Sequence, residues 1–227
     1  MKVPINNKLV TVLRMQFKKS PRVFGQQIIR QQLLPIALFI SCIIVPQLSR
    51  GAQGDTKLQK WNAAEPLLSQ LEADHAIEQF TIRPPKGYAP QTRPGPHGSK
   101  ATAWAGPPRA DGTRPQVMVL TVKLSPEELR KYNLDQALDE LVQSLSHLRR
   151  HWTRTTHEKG MINGLVFART RWQGEDTSSG LKMHGFVYVA FVHDTLVQLS
   201  SQDVEPHHEA ALKLAESSVL TFKKSNS

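Results

Sequence analysis

The chain has 227 residues and a formal net charge of +10, but this charge is concentrated at one end. Residues 1–54 hold eight of the 29 Lys and Arg residues and none of the 19 acidic residues, so residues 55–227 carry a formal charge of only +2. This distribution excludes a domain that binds nucleic acid through its own excess of positive charge.

An apolar segment near the amino terminus predicts export. Leu33 to Val45 is almost unbroken apolar sequence, with Lys and Arg before it and the small and polar residues LSRGAQG after it, which is the layout of a secretory signal. We predict a signal peptide over 1–51 and a periplasmic or secreted domain. The alternative is an uncleaved membrane anchor over 33–48, which approaches the lower length limit for a tilted span.

Two further features belong to this leader. Translation starts either at Met1 or at Met15, and the second start gives a shorter basic region before the apolar segment. The only cysteine is Cys42, inside the apolar segment. Once the leader is removed, the domain has no thiol, which excludes disulfides, thiolate metal ligands and cysteine nucleophiles.

The segment after the leader alternates between polar and proline-rich sequence. Residues 52–75 predict a polar tether with one short helix, and IEQFTI from Ala76 alternates as a strand. Residues 84–115 then hold eight of the 15 prolines. Because proline removes backbone donors, we predict a long loop or flap in which only a short edge strand, KATAWAG, survives.

Regular structure becomes clear from residue 116 onwards. Gln116 to Leu124 predicts a strand, and Ser125 with Glu128 predicts a capping box at the start of a helix. Asn133 predicts the cap of a second helix, which we expect to end in HLRRHW. Its apolar stripe is Leu134, Ala137, Leu138, Leu141, Val142, Leu145 and Leu148.

Three strands and a closing helix complete the domain. The strands are 165–172, 183–193 and 196–201, with a polar loop over 173–180. The middle strand is apolar on both sides, so both faces of the sheet are expected to be covered. The closing helix begins near Pro206, with Ala211, Leu214, Ala215 and Val219 inward. We predict one α+β domain over 76–224, an antiparallel sheet flanked by helices on both faces.

The order of these elements resembles the PsbP family of extrinsic photosystem subunits. FTIRPPKGY opens the pattern, a helix and a meander of strands follow, and EAALKLAESSVLTFKK closes it. DcrB-like bacterial envelope proteins and Ran-binding proteins share this α/β/α sandwich, and the resemblance covers Ala76 to Lys224. Because members of this group are mainly binding and accessory modules, the resemblance implies an interaction domain. It carries no functional residues over to named positions.

Histidine spacing does not predict a metal site. In HHEAALKL, which begins at His207, Leu212 stands where HExxH needs its second histidine. His184 and His193 are nine residues apart on one predicted strand, which directs them to opposite faces. The sequence also lacks nucleophile and phosphate-loop motifs. We therefore expect no catalytic, metal-binding or cofactor-binding residues, and the alternative is a thiol-free hydrolase with a metal at a histidine such as His184.

The proline-rich segment supplies the candidate partner-binding residues. Its cations are opposed only by Asp111, and its aromatic rings can stack on a partner. The candidates are Tyr88, Arg93, Trp104 and Arg109. The other interpretation is that Tyr88 and Trp104 pin the segment to the sheet.

The sequence thus predicts an exported, non-catalytic accessory or binding domain of the cell envelope. Its partner is expected to be a protein or an envelope ligand, and membrane association is expected only through the amino-terminal segment. The alternatives are a metal-dependent or other thiol-free hydrolase, and a binder of anionic surface polymer or lipid through the proline-rich segment.

Overall fold

A computed structural model describes residues 58–94 and 99–225, with the side chains of Arg93 and Pro94 left out. The predicted signal peptide or anchor over 1–51, with Met15 and Cys42, lies outside the described residues. So does the part of the predicted tether that precedes Leu58. None of the helices in the described ranges is long and apolar enough to span a bilayer.

The described residues form an α+β fold built on a large, mostly antiparallel sheet. The helices are α1 (Glu65–Leu68), α2 (Pro126–Lys131), α3 (Leu134–Ser146) and α4 (His208–Val219). The strands are β1 (Gln59–Lys60), β2 (His75–Ile77), β3 (Phe80–Ile82), β4 (Ala89–Pro94), β5 (Lys100–Ala105), β6 (Gln116–Lys123), β7 (Arg149–Arg154), β8 (Glu158–Ile162), β9 (Leu165–Asp176), β10 (Lys182–Val192), β11 (Thr195–Val204) and β12 (Lys223–Lys224).

Nine of these strands form one sheet. Their order is β1-β8-β9-β10-β11-β6-β5-β4, and β7 also pairs with β9. Only the short β1–β8 pairing is parallel among the pairings of this sheet. Strands β12, β3 and β2 form a separate three-stranded sheet.

Alternation along β10 separates two hydrophobic clusters, as its sequence predicts. One cluster contains Phe186, Tyr188, Ala190 and Val192 of β10, together with Leu212, Ala215 and Val219 of α4. The other contains Met183, Val187 and Val189 of β10, together with Leu138, Leu141 and Val142 of α3. Because neighbouring residues of a strand point to opposite faces, the two clusters lie on opposite sides of β10.

The predicted capping box at Ser125 and the predicted helix cap at Asn133 are both confirmed. The Oγ of Ser125 accepts a hydrogen bond from the backbone N–H of Glu128 at 3.3 Å, and the Ser125 N–H donates to Glu128 Oε2 at 2.7 Å. Asn133 and Gln136 form the same reciprocal pair at the start of α3. Each box satisfies two backbone donors that the first helical turn leaves free.

The proline-rich segment was predicted as a loop or flap, and this is wrong for much of its length. Residues 89–94 and 100–105 are the paired strands β4 and β5, and β5 lies inside the sheet between β4 and β6. The predicted edge strand KATAWAG is therefore internal, and β4 takes the edge position. Proline is tolerated in β4 because an edge strand needs backbone donors on one side only.

Other boundaries also differ from the predictions. IEQFTI contributes to two strands, β2 and β3, because Glu78 adopts a left-handed φ of +54° that reverses the chain. HLRRHW leads into β7 where the end of a helix was expected, and β9 extends through predicted loop residues to Asp176. Backbone pairing between β7 and β9 does not require apolar side chains, so the apolar pattern missed it.

The buried face of α4 also differs in part from the face predicted from the sequence. Of the four residues predicted inward, Ala215 and Val219 are buried and Ala211 and Leu214 are half-buried, and Leu212 is buried as well. Leu212, Ala215 and Val219 have the three- and four-residue spacing of one helix face. The prediction of this face is therefore correct for Ala215 and Val219, and Leu212 is buried in place of Ala211 and Leu214.

Candidate functional site

A surface loop, Gly106–Pro115, is attached to the sheet by an ion pair, and we call it the Arg109 loop. The guanidinium of Arg109 donates through both terminal nitrogens to the carboxylate of Asp203 in β11, at 2.7 and 2.6 Å. The Asp203 side chain is only 2% exposed and that of Arg109 is 20% exposed. Burial of two charges is unfavourable unless the pairing is close and bidentate, as it is here.

Hydrogen bonds inside the loop hold its tip in one conformation. The Arg109 N–H donates to the Thr113 carbonyl at 2.8 Å, and the Gly112 N–H donates to the Arg109 carbonyl at 2.9 Å. Asp111 Oδ1 accepts from the N–H and the hydroxyl of Thr113 at 2.9 and 2.7 Å, which lowers the pKa of Asp111. The residues left exposed at the tip include Pro107, Pro108 and Ala110.

Tyr88 packs beneath the base of this loop. Its side chain is half-buried against the cluster that contains the α4 residues, and a Cβ at Gly106 would lie 3.0 Å from the Tyr88 ring. Burial, helped by the nearby negative charge of Asp203, raises the pKa of Tyr88 to about 12. Tyr88 therefore remains neutral and acts as a packing surface for the loop at ordinary pH.

A group of histidines lies at the start of α4, beside the loop. The Nε2 of His184 is 2.8 Å from Oε1 of Glu205, and this hydrogen bond lowers the pKa of Glu205. The His184 ring stacks on His208 with the ring centroids 3.7 Å apart. The Nε2 of His207 is 3.8 Å from Oδ2 of Asp111, which places the start of α4 next to the loop tip.

These histidines do not form a metal centre. Within residues 58–94 and 99–225, no group of three His, Cys, Asp or Glu side chains is placed to hold a metal ion. Glu205 already occupies Nε2 of His184, and the stacked rings of His184 and His208 face each other. The metal-dependent hydrolase hypothesis therefore has no ligand set in this part of the chain.

A second charged group joins α4 to the sheet. The Tyr188 hydroxyl donates to Glu216 at 2.6 Å and accepts from Arg169 at 2.9 Å, and Arg171 donates to both oxygens of Glu216 at 2.7 and 2.6 Å. The Arg169 guanidinium lies 4.2 Å from the ring centroid of Trp61. Because Glu216 already accepts these hydrogen bonds, the group anchors α4 and does not present a free general base.

Three of the four predicted partner-binding side chains are described, and Trp104 does not lie on the surface with Tyr88 and Arg109. Tyr88 and Arg109 meet at the Arg109 loop, as described above. Trp104 is 1% exposed and belongs to the core cluster, so it has no ring face to offer a partner. This burial supports the other interpretation, in which Trp104 pins the segment to the sheet. Arg93 lies in β4, and its side chain is outside the described residues.

Sequence reasoning missed the partners of Arg109 and His184. Asp203 is 94 positions from Arg109, and His208 is on a different element from His184. No spacing of residues in the local sequence indicates either pairing. The one signal available was an acidic residue, Asp203, at a position of β11 that alternation directs to the same face as the buried Val197 and Leu199.

Replacing Tyr88 with phenylalanine is expected to remove a tyrosine titration with a pKa of about 12. The folded pKa lies above the unfolded value of about 10, so the unfolded protein loses this proton first. Stability contributed by neutral Tyr88 is therefore complete below pH 10 and is lost as the pH rises towards 12. Tyrosinate absorbance and urea unfolding, measured against pH for both proteins, check this. Equal losses of stability in the wild type and in Tyr88→Phe as the pH rises from 10 towards 12 would contradict this prediction.

Comparison with known proteins identifies the fold. No protein-family model matches the chain, and no curated protein matches its sequence. The cyanobacterial PsbP protein CyanoP of Synechocystis sp. PCC 6803 matches with 12% identity and a TM-score of 0.51, over 77% of this chain and 98% of that one. LpqN, involved in cell envelope biogenesis of Mycobacterium tuberculosis, matches with 8% identity and a TM-score of 0.51, over 74% of this chain and 99% of that one. The chain therefore has a PsbP-like fold, as the order of its elements predicted.

Proposed function

We propose that this chain is an exported, non-catalytic accessory domain of the cell envelope that docks to a partner protein through the Arg109 loop. The observation that carries the proposal is the order already present in the loop. Its exposed tip is held by the buried Arg109–Asp203 pair and by hydrogen bonds from Thr113 and Gly112. A loop that is ordered before binding loses little conformational entropy when a partner binds.

Two further features support the envelope setting and the architecture. LpqN, one of the proteins with a similar fold, is involved in cell envelope biogenesis, and the basic and apolar amino-terminal segment has the layout of a signal peptide or anchor. The two hydrophobic clusters, with α3 in one and α4 in the other, support an α/β/α sandwich.

A protein partner fits the loop better than an anionic polymer does. The charge of Arg109 is already neutralised by Asp203, and Trp104 is buried. The exposed loop residues are Pro107, Pro108, Ala110, Asp111 and Gly112, so three of the five are apolar and the one charge among them is negative. Apolar contact at the centre of an interface is typical of protein recognition, whereas polymer or lipid binding through charge needs unpaired cations.

Single cysteines placed on the loop and away from it test the proposal. In a Cys42→Ser background, Ala110→Cys places a thiol on the loop tip, and Lys131→Cys places one at the end of α2. Both positions are exposed, and they lie beyond opposite ends of β6. We expect both thiols to react in intact cells with a maleimide that does not cross the cytoplasmic membrane. We expect a thiol-linked photocrosslinker to give one discrete protein adduct from position 110 and none from position 131.

The two parts of the proposal fail separately. Thiols that react only after lysis would overturn export. Thiols that react in intact cells without a discrete adduct at position 110 would overturn docking through the loop. Adducts of lipid or polysaccharide at that position would instead favour the surface-polymer alternative.

A further inference from the structure

The outer edge of the large sheet is strand β4, and its backbone groups can be assigned to two sides. The Gly106 N–H donates to the Pro115 carbonyl at 2.8 Å, so the backbone N–H and C=O of Gly106 are directed towards β6. Alternate residues of an antiparallel strand point their N–H and C=O to opposite neighbours. The residues of β5 that point towards β4 are therefore Ala101, Ala103 and Ala105.

The register between β4 and β5 then gives the outward positions of β4. Ala105, Ala103 and Ala101 lie opposite Ala89, Gln91 and Arg93, so these three bond to β5. The backbone groups of Pro90, Thr92 and Pro94, which lie between and after them, are directed outward from the free edge of β4. Two of the three outward positions are proline and lack an N–H, so Thr92 holds the single outward donor of this strand.

This pattern would impair pairing with a second copy of the same edge. If two β4 strands met antiparallel about a two-fold axis at Thr92, Pro90 of one copy would lie opposite Pro94 of the other. Such a proline pair forms neither of the two N–H···O bonds that a normal pair exchanges. Only the central Thr92 pair would retain both bonds, so most of the hydrogen bonding that joins two sheet edges would be missing.

At the opposite edge of the sheet, strand pairing is interrupted in a different way. Strand β7 has a register shift between Arg150 and Thr153, and His151 there has a φ of +50°. Strand β1 is only two residues long. A bulge or a very short strand disrupts the regular row of donors and acceptors that an added strand requires. In the described residues, β4 is therefore the long, regular edge of the sheet, and its prolines lie where an added strand would pair.

We propose that Pro90 and Pro94 prevent a second copy of this chain from joining the sheet through β4. The proposal accounts for two prolines of the proline-rich segment at positions where the sheet does not use their missing N–H. It does not depend on the docking function proposed for the Arg109 loop. The prolines leave the pairing of β4 with β5 intact while they remove the donors that a self-associated edge would need.

Restoring the two donors tests this directly. The double variant Pro90→Thr/Pro94→Thr introduces residues that favour strands and carry an N–H. We expect it to self-associate at least about tenfold more strongly than the wild type. Sedimentation velocity over a concentration series measures the association. Hydrogen exchange is expected to show protection of the Thr92 N–H only at concentrations where the variant associates.

Matched variants separate the missing donors from strand propensity. Ala89→Thr/Gln91→Thr adds two threonines at positions that already bond to β5, and it is expected to behave as the wild type does. Adding Thr92→Pro to the double variant removes the central pair of bonds and is expected to weaken the association relative to the double variant. A folded double variant that sediments as the wild type does, or equal association of the Ala89→Thr/Gln91→Thr control, would overturn the proposal. If circular dichroism shows that the double variant is unfolded, Pro90→Thr alone decides by the same criteria.

Discussion

Replacing Trp104 with alanine is expected to lower the free energy of unfolding by about 3–5 kcal/mol. The Trp104 side chain is 1% exposed, in a strand that lies between β4 and β6, and it belongs to the same cluster as Val117 and Phe186. Its removal deletes a large apolar contact area and leaves a cavity that the rigid sheet cannot fill. Guanidinium unfolding measures the change.

The control for this experiment is Trp104→Phe, which keeps most of the ring and is expected to cost clearly less than alanine. A domain stability of about 5–15 kcal/mol makes the alanine effect a large fraction of the total. Unchanged stability in Trp104→Ala, together with loss of the adduct from position 110, would contradict the buried role. Trp104 would then be a partner contact, as the sequence also allowed.

Replacing Arg109 with methionine is expected to lower the free energy of unfolding by about 3 kcal/mol. The variant keeps most of the apolar stem but leaves the Asp203 carboxylate, which is 2% exposed, without its counter-ion. The Arg109 loop should also lose its attachment to β11 and its fixed tip. Urea unfolding measures the first effect, and hydrogen exchange at Gly112 and Thr113 measures the second.

Lys123→Met is the matched control, because Lys123 and Asp194 form an ion pair whose side chains are 61% and 56% exposed. Such exposed pairs contribute little, so this variant is expected to unfold as the wild type does. The double variant Arg109→Met/Asp203→Leu removes both charges and should recover stability without restoring the loop. Equal effects of Arg109→Met and Lys123→Met would contradict the importance of the buried pair.

Local sequence patterns predicted much of the fold. The capping residues Ser125 and Asn133 begin helices as predicted, because a cap depends on groups within three residues. The alternation of apolar residues in β10 assigned its two faces correctly, because side-chain direction in a strand follows from the backbone itself. The PsbP-like order of elements was recognised from the same local patterns.

The candidate site was only partly predictable. Tyr88 and Arg109 were selected from composition, but the carboxylate that fixes Arg109 comes from β11 and depends on how the loop folds back across the sheet. For Trp104 the sequence left open whether the ring meets a partner or pins the segment to the sheet, and the pairing of β5 with β4 and β6 buries it. The stacking of His184 on His208 likewise depends on where α4 docks.

By itself the sequence determined where the helices after residue 116 start, which strand has two buried faces, and that positive charge is concentrated before residue 55. Only the tertiary structure decided that the proline-rich segment joins the sheet, that Trp104 is internal and that Arg109 meets Asp203. The first group depends on interactions between residues a few positions apart. The second depends on strand register and packing between distant segments, which no short stretch of sequence encodes.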